Sequence, residues 1–298
     1  MSFVIATTLD EALHALAGGA RPVAGGSDLV VGARHGKAPL PEHLVAIDRI
    51  ESLREIHHTA DGLIIGALVN HHATETHPLI TGRYAGLSDG SALVGSPATR
   101  NVGTIGGNVM NSSPAMDTGA PLTVLGAEVE LQSLHGSRRI AIAELWTGPG
   151  RTSAAPDELC VAVHIAAPAA RSASAYLRLE YRRAMEIAIV GAAAQVTLAA
   201  DGSIASMRVA LTAVAPTIIE LSGLSGLGGG SVASAAAAAR AAASEQARPI
   251  SDLRASDDYR RHTVGVMAGR AVEAAARRAV GESLASPLNR SVGIGAAS

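Results

Sequence analysis

Two glycine-dense stretches constrain this 298-residue chain more than any other feature. The longer runs from Val102 to Asp117 as Val-Gly-Thr-Ile-Gly-Gly-Asn-Val-Met-Asn-Ser-Ser-Pro-Ala-Met-Asp. Few purely structural loops need so many glycines, because each adds unfolded-chain entropy without adding packing. Glycine lets a backbone come close to something else, with N–H groups free to point at it. An anion such as a phosphate is the natural guest for such a nest of amides. The second stretch, Pro22 to Val30, has the same character: Gly25 and Gly26 precede the hydroxyl of Ser27 at a strand's end, as phosphate binding requires. It is not the dinucleotide fingerprint, since a third glycine at the right offset is missing. Two such loops in one pair of lobes are better explained by a pyrophosphate-containing cofactor than by a lone anion. The expectation is that they hold one ligand between them.

Composition narrows the class. A net charge of −2 leaves no electrostatic footprint for nucleic acid or an anionic membrane. The single Cys160 excludes an internal disulfide, a Cys-rich zinc site and an iron–sulfur cluster held by this chain alone. The N-terminus has neither a basic region nor a long apolar run, so no signal peptide is read. No eighteen-residue apolar stretch suggests a membrane span. A soluble cytoplasmic protein is the default expectation.

Thr8 to Glu11 has capping-box spacing, and Ala12, Leu13 and Leu16 follow at helical intervals, so residues 10–17 read as a helix. Pro22–Ala24 and Leu44–Asp48 read as short buried strands flanking a helix over 28–34, a small lobe with a parallel core ending near residue 55. Strands follow at 62–67, 128–133 and 160–165, with short helices at 74–80, within 86–97, and at 117–125, the last started by Ser113 and Pro114. Residues 166–174 lose periodicity and read as a linker. Beyond it come strands at 176–181, 190–199 and 204–214, with Asp201-Gly202 as a hairpin turn. A Gly/Ser-rich loop follows at 221–231, then helices at 232–244 and 257–280, the second capped by Ser256. The tail after Gly281 reads as frayed, and this C-terminal third as a separate domain. The fold class is therefore α+β.

The histidines His57, His58, His71, His72 and His77 invite a metal reading. No carboxylate or Cys at ligand spacing supports it, and four fall in expected loops, so solvated side chains are the better reading. Arg34 and Lys37 read as surface charges.

Ala24–Leu29, together with Thr104–Asn108 and Ser113–Asp117, resembles the FAD-binding medium subunit of the molybdenum hydroxylases, the family of xanthine dehydrogenase and aerobic carbon monoxide dehydrogenase. The resemblance continues through Glu180–Val190 and Asp258–His262, and so covers nearly the whole chain in order. It implies a two-lobe PCMH-type FAD-binding domain over 1–170, with lobes of about 1–55 and 56–170. A small C-terminal domain of antiparallel sheet plus helices follows over 175–281, like that of carbon monoxide dehydrogenase flavoproteins, then a tail at 282–298. By the same resemblance Val23, Ala24, Gly25, Gly26, Ser27, Asp28 and Leu29 wrap the FAD pyrophosphate. Thr104, Ile105, Gly106, Gly107 and Asn108 contact pyrophosphate and flavin, and Asp117 takes ligand hydroxyls. Val94 lies close to the flavin, Cys160 or Val161 offers a backbone contact to the ring edge, and Arg178 stands where relatives often carry Lys. Residues 180–190 form a loop over the flavin, with Tyr176 and Tyr181 as the nearby aromatics.

The activity implied is that of an electron-transfer subunit. A large partner subunit holds the molybdopterin cofactor and a small partner holds two [2Fe–2S] clusters. Electrons pass through FAD to NAD+, a quinone, oxygen or another acceptor, and no residue here acts as acid, base or nucleophile. Two alternatives remain at this stage: a stand-alone flavin oxidase or reductase, and a non-enzymatic nucleotide-binding module.

Overall fold

The computed structural model describes residues 2–36 and 39–290. Lys37 and the end of the tail, 291–298, lie outside the described residues.

The first lobe contains β1 (Ser2–Ile5), α1 (Leu9–Ala17), β2 (Arg21–Val23), α2 (Ser27–Arg34) and β3 (His43–Ala46). Its strands are all parallel in the order β1-β3-β2, as their apolar character suggested. Thr8 and Glu11 close the capping box on α1, and Ala12, Leu13 and Leu16 pack onto Val45 and Ile47. Strand β1 was not foreseen, because all four of its residues are exposed and show no alternation. Helix α2 buries none of its side chains.

The second lobe opens with β4 (Ile56–Thr59) and β5 (Gly62–Gly66). Six short helices follow: α3 (His71–Thr76), α4 (Pro78–Arg83), α5 (Ala85–Leu93), α6 (Pro97–Val102), α7 (Ile105–Asn111) and α8 (Gly119–Val124). The lobe closes with β6 (Glu128–Ser133), β7 (Gly136–Ala141), α9 (Ile142–Leu145), the two-stranded β8 (Trp146–Gly148) and β9 (Arg151–Thr152), and β10 (Leu159–Ala166). Its five-stranded sheet is antiparallel, ordered β4-β5-β10-β6-β7.

Several expectations change here. The helix read over 74–80 is two helices, parted at His77 because Pro78 starts a new one at its first turn. The four histidines placed in loops are elsewhere: His57 and His58 lie in β4, while His71 and His72 open α3. Ser113 and Pro114 form a turn, closed by the Met116 N–H on Ser113 O at 3.1 Å, and the next helix begins only at Gly119.

The C-terminal part is an antiparallel sheet of β11 (Ser172–Leu179), β12 (Val190–Leu198), β13 (Ile204–Thr212) and β14 (Ile219–Glu220), in that order, followed by α10 (Val232–Gln246) and α11 (Asp257–Ala279). Asp201 and Gly202 make the expected turn, with Gly202 at φ +86°, and Ser256 caps α11 through the Tyr259 N–H. The linker shrinks to 167–171. The strands read as nearly continuous apolar runs because both faces are covered. Ala192, Ala194 and Val196 face the core made with α10 and α11, whereas Tyr176, Ala193, Ala210 and Ile218 join the core of the second lobe beside Leu87 and Leu122. The sheet is thus shared between two cores rather than detached. The chain after Gly281 is not frayed up to residue 290: Leu288 is fully buried, and the Asn289 side-chain amide accepts from the Arg178 N–H at 3.1 Å and donates to the Arg178 carbonyl at 2.8 Å.

Candidate FAD site

The two glycine stretches do meet. Gly25 lies so close to the Val102 carbonyl that no side chain fits between them, which is the close approach the sequence implied. Gly26 takes a left-handed conformation (φ +67°) and starts α2 without a capping side chain. Among the described residues, the N–H groups of Gly25, Gly26, Ser27 and Leu29 therefore meet no acceptor. Open amides at a helix start are the donors an anion uses.

The second stretch behaves differently from the expectation. It is no open loop but the helix α7, and its first-turn amides are all used. Ile105 N–H donates to Val69 O (2.9 Å), Gly106 N–H to Ala67 O (3.0 Å) and Asn108 N–H to Thr104 O (2.9 Å). Gly107 N–H donates to the Thr104 hydroxyl at 3.1 Å. A Cβ on Gly106 would stand 2.6 Å from that of Ala67, so this glycine serves packing of the helix on the end of β5. The anion nest is supplied by Val23–Leu29 alone. Of Thr104–Asn108 only Thr104 lines the cleft that faces this nest, while Ile105 and Gly106 are buried.

Between the stretches lies a cleft of about 260 Å³. Besides Ala24, Gly25 and Thr104 it is lined by Asp48, Arg54, Asn70 and Asn101, none singled out from sequence. Asn70 caps α3, its Oδ1 accepting from the Ala73 N–H at 2.7 Å, and an Asn at such a position was the one available signal. Asp48 and Arg54 come from the segment after β3 and Asn101 from α6, none of them within a motif.

A second group of residues gathers about Asp117. Its Oδ1 accepts from the Tyr176 hydroxyl at 2.9 Å and its Oδ2 from Arg178 Nη1 at 2.6 Å. Arg178 Nε donates to Glu180 at 2.7 Å, while its Nη2 is buried without an acceptor. Burial pushes the Asp117 carboxyl above the usual carboxylate range, against the pull of Arg178 and of the Tyr176 hydroxyl. Tyr176 is thus spent on Asp117, and Tyr181 is 67% exposed. The Thr118 hydroxyl donates to Asn108 Oδ1 at 2.5 Å, which ties this group to α7. Val94 ends α5, and the loop of 180–189 crosses beside it, with the Met185 N–H on Gly95 O at 2.9 Å. Val161 sits at a β-bulge in β10, its carbonyl taken by the Ala67 N–H at 2.9 Å.

His71 lies under the junction of the two stretches. Its N–H holds Gly103 O at 3.0 Å, its ring is 1% exposed, and its Nδ1 has no partner. Burial, helped by Arg100, lowers its pKa to about 4, so it is neutral at ordinary pH and not solvated as expected. His57 and His72 do have carboxylates beside them, Glu55 at 2.8 Å and Glu75 at 2.9 Å, but one each. No cluster of three possible metal ligands exists among the described residues. Nor is any helix among them long and apolar enough to cross a membrane.

Comparison with known proteins accords with this geometry. The family described as "FAD binding domain in molybdopterin dehydrogenase" matches residues 1–168, and that described as "CO dehydrogenase flavoprotein C-terminal domain" matches 175–275. The carbon monoxide dehydrogenase medium chain of Afipia carboxidovorans is 33% identical over 262 residues, covering 87% of this chain and 90% of the relative. A xanthine dehydrogenase FAD-binding subunit of Escherichia coli O157:H7 is 29% identical over 287 residues, covering 94% and 98%. The solved carbon monoxide dehydrogenase of Hydrogenophaga pseudoflava superposes with a TM-score of 0.88 at 29% identity, over 93% of this chain and 98% of that one. The chain belongs to the family of FAD-binding subunits of the molybdopterin dehydrogenases, as an oxidoreductase component.

Proposed function

We propose that this chain is the FAD-carrying electron-transfer subunit of a heteromeric, cytoplasmic molybdenum hydroxylase. In this reading a large partner subunit carries the molybdopterin cofactor, a small partner carries two [2Fe–2S] clusters, and this chain links those clusters to an external acceptor such as NAD+, a quinone or oxygen. Bound FAD supplies the redox chemistry; the residues here bind it, orient it and shield it.

The observation that supports the reading most is the clamp. The amides of Gly25, Gly26, Ser27 and Leu29 meet no acceptor among the described residues, and Gly25 stands against Val102, where only a glycine backbone fits. Asp28 completes that loop, and Thr104, Ile105, Gly106, Gly107 and Asn108 are assigned to contacts with the pyrophosphate and flavin. Val94 and Val161 are assigned to the flavin ring, and Asp117 to ligand hydroxyls. Arg178 Nη2, buried and unpartnered, offers a donor to a flavin oxygen or nitrogen. Cys160 is buried with its thiol pushed up to about 12, which suits it to packing rather than to holding iron. The division into an FAD-binding part over 1–170 and a C-terminal part over 175–281 belongs to the same reading.

Titration of the purified chain with FAD, followed by flavin fluorescence and visible absorbance, tests the binding. A colourless protein that takes up no FAD refutes the proposal. Co-expression with a Cys-rich small chain and a large chain, followed by Mo and Fe analysis, tests the assembly.

A further inference from the structure

The cleft between the lobes is lined by one cation, and that cation is fixed. Arg54 Nε donates to the Asp48 carbonyl at 3.1 Å and its Nη2 donates to the same oxygen. Its Nε also lies 3.7 Å from the Glu51 carboxylate. Two donors on one carbonyl hold the guanidinium plane in place, which leaves Nη1 with a set direction and no partner among the described residues. The side chain is 42% exposed and lines the same cleft as Ala24 and Gly25. The exposed Asp48 carboxylate lines the cleft as well, with no side-chain partner among the described residues, and the remaining polar side chains are largely occupied. Asn70 caps α3 and donates to Asn101 O at 3.1 Å, Asn101 donates to Pro97 O at 2.8 Å, and Thr104 accepts from Gly107.

We infer that Arg54 is the residue that recognises the adenosine diphosphate half of the cofactor, with the diphosphate placed between its guanidinium and the amides of the first loop. The inference rests on the FAD reading and goes beyond it, since neither the glycine stretches nor the Asp117 group includes a cation that lines this cleft. A guanidinium and an open backbone N–H, that of Gly25, lining one cleft beside the start of α2 suit a diphosphate, which has several oxygens to share between them. Arg54 is already restrained by Asp48, so little rotamer freedom is lost on binding.

The test uses the full-length apo-protein with ADP, adenosine, FAD and riboflavin as separate probes. In the wild type, ADP binds and competes with FAD, and adenosine binds at least tenfold more weakly than ADP. Arg54→Met weakens ADP and FAD by a common factor of about ten or more and leaves riboflavin unchanged, while Arg54→Lys falls between. Equal weakening of riboflavin by Arg54→Met overturns the inference, because the loss is then one of general structure. Wild-type affinities for ADP and adenosine that are equal overturn it too, independently of whether any variant folds. Uptake of FAD with no ADP competition leaves the flavin reading standing and removes Arg54's role. ADP binding with no uptake of FAD or riboflavin does the reverse.

Discussion

Replacing Gly25 with Ala tests the clamp directly. An alanine Cβ at this position would overlap the Val102 carbonyl oxygen and lie 2.5 Å from its carbon and 3.1 Å from Gly103 N. All three are backbone atoms, so no side chain can swing aside. To reach an ordinary contact of 3.4 Å from the carbonyl oxygen, which the Cβ would otherwise approach to 1.8 Å, the first loop has to retreat by about 1.6 Å from α6. Overpacking of this kind costs about 1–3 kcal/mol, and a rigid backbone neighbour places Gly25→Ala at the upper end. About 3 kcal/mol is roughly a hundredfold in affinity if the retreat is forced mainly in the cofactor-bound clamp. Gly26→Ala provides the comparison: its Cβ meets only Val23 and Val30 at 3.6 Å, and the cost comes from φ +67° alone, about 1 kcal/mol. Gly32→Ala, with nothing within 4 Å in the middle of α2, gains about 0.5–1 kcal/mol through helix propensity. The assay is FAD titration of the three apo-variants, alongside urea midpoints without cofactor. The expected order of FAD affinity is Gly32→Ala at or above wild type, then Gly26→Ala, then Gly25→Ala. Gly25→Ala binding FAD within twofold of wild type with an unchanged urea midpoint would refute the reasoning.

Three further outcomes follow from the same geometry. His71 has a folded-state pKa of about 4 against 6.5 unfolded, so the unfolded chain binds more protons between those values and stability falls as pH drops through that window, by about 3 kcal/mol in all; His71→Asn should flatten the pH dependence of the urea midpoint below pH 6.5, and an unchanged slope counts against the buried neutral ring. Arg178→Met strands the Asp117 and Glu180 carboxylates in a buried setting and should cost about 3–5 kcal/mol, whereas Asp117→Asn keeps the Arg178–Glu180 pair and costs less; chemical denaturation of both variants checks the order. Arg260 holds Ile189 O at 2.7 Å and Asp252 at 2.7 Å, so Arg260→Met should speed limited proteolysis within 181–187 while leaving the far end of the sheet protected, as mass spectrometry of the fragments would show.

The sequence made the outline of the fold readable wherever side-chain periodicity and caps agreed. Thr8 with Glu11, the parallel pair of apolar strands in the first lobe, the Asp201-Gly202 turn and the Ser256 cap are all local devices, and all are found in place. What misled was treating glycine as a sign of free amides. In Gly25 and Gly26 it is one; in Gly106 it records a close approach to Ala67, and only the tertiary partner distinguishes the two. The cleft residues were illegible for a related reason. Arg54 gains its position from the carbonyl of Asp48, and a carbonyl carries no side-chain signature. Likewise, Tyr176 looked available to a flavin until its hydroxyl was seen committed to Asp117. The sharing of the C-terminal sheet between two cores also escaped the sequence, since strands covered on both faces show apolar runs without stating what covers them.

Helix α2 has eight residues and buries none of them. A helix that short is marginal in water by its own hydrogen bonds. Its uncapped start follows directly on Ala24 and Gly25, which line the cleft assigned to the diphosphate, so an anion held at that start would supply the missing acceptors and hold the first turn. Amide hydrogen exchange across Ser27–Arg34 should then slow sharply on FAD loading, far more than exchange in α11, whose apolar face is already packed. That makes α2 a local gauge of occupancy, able to report the fraction of cofactor-bearing molecules in an assembled complex without any reference to turnover.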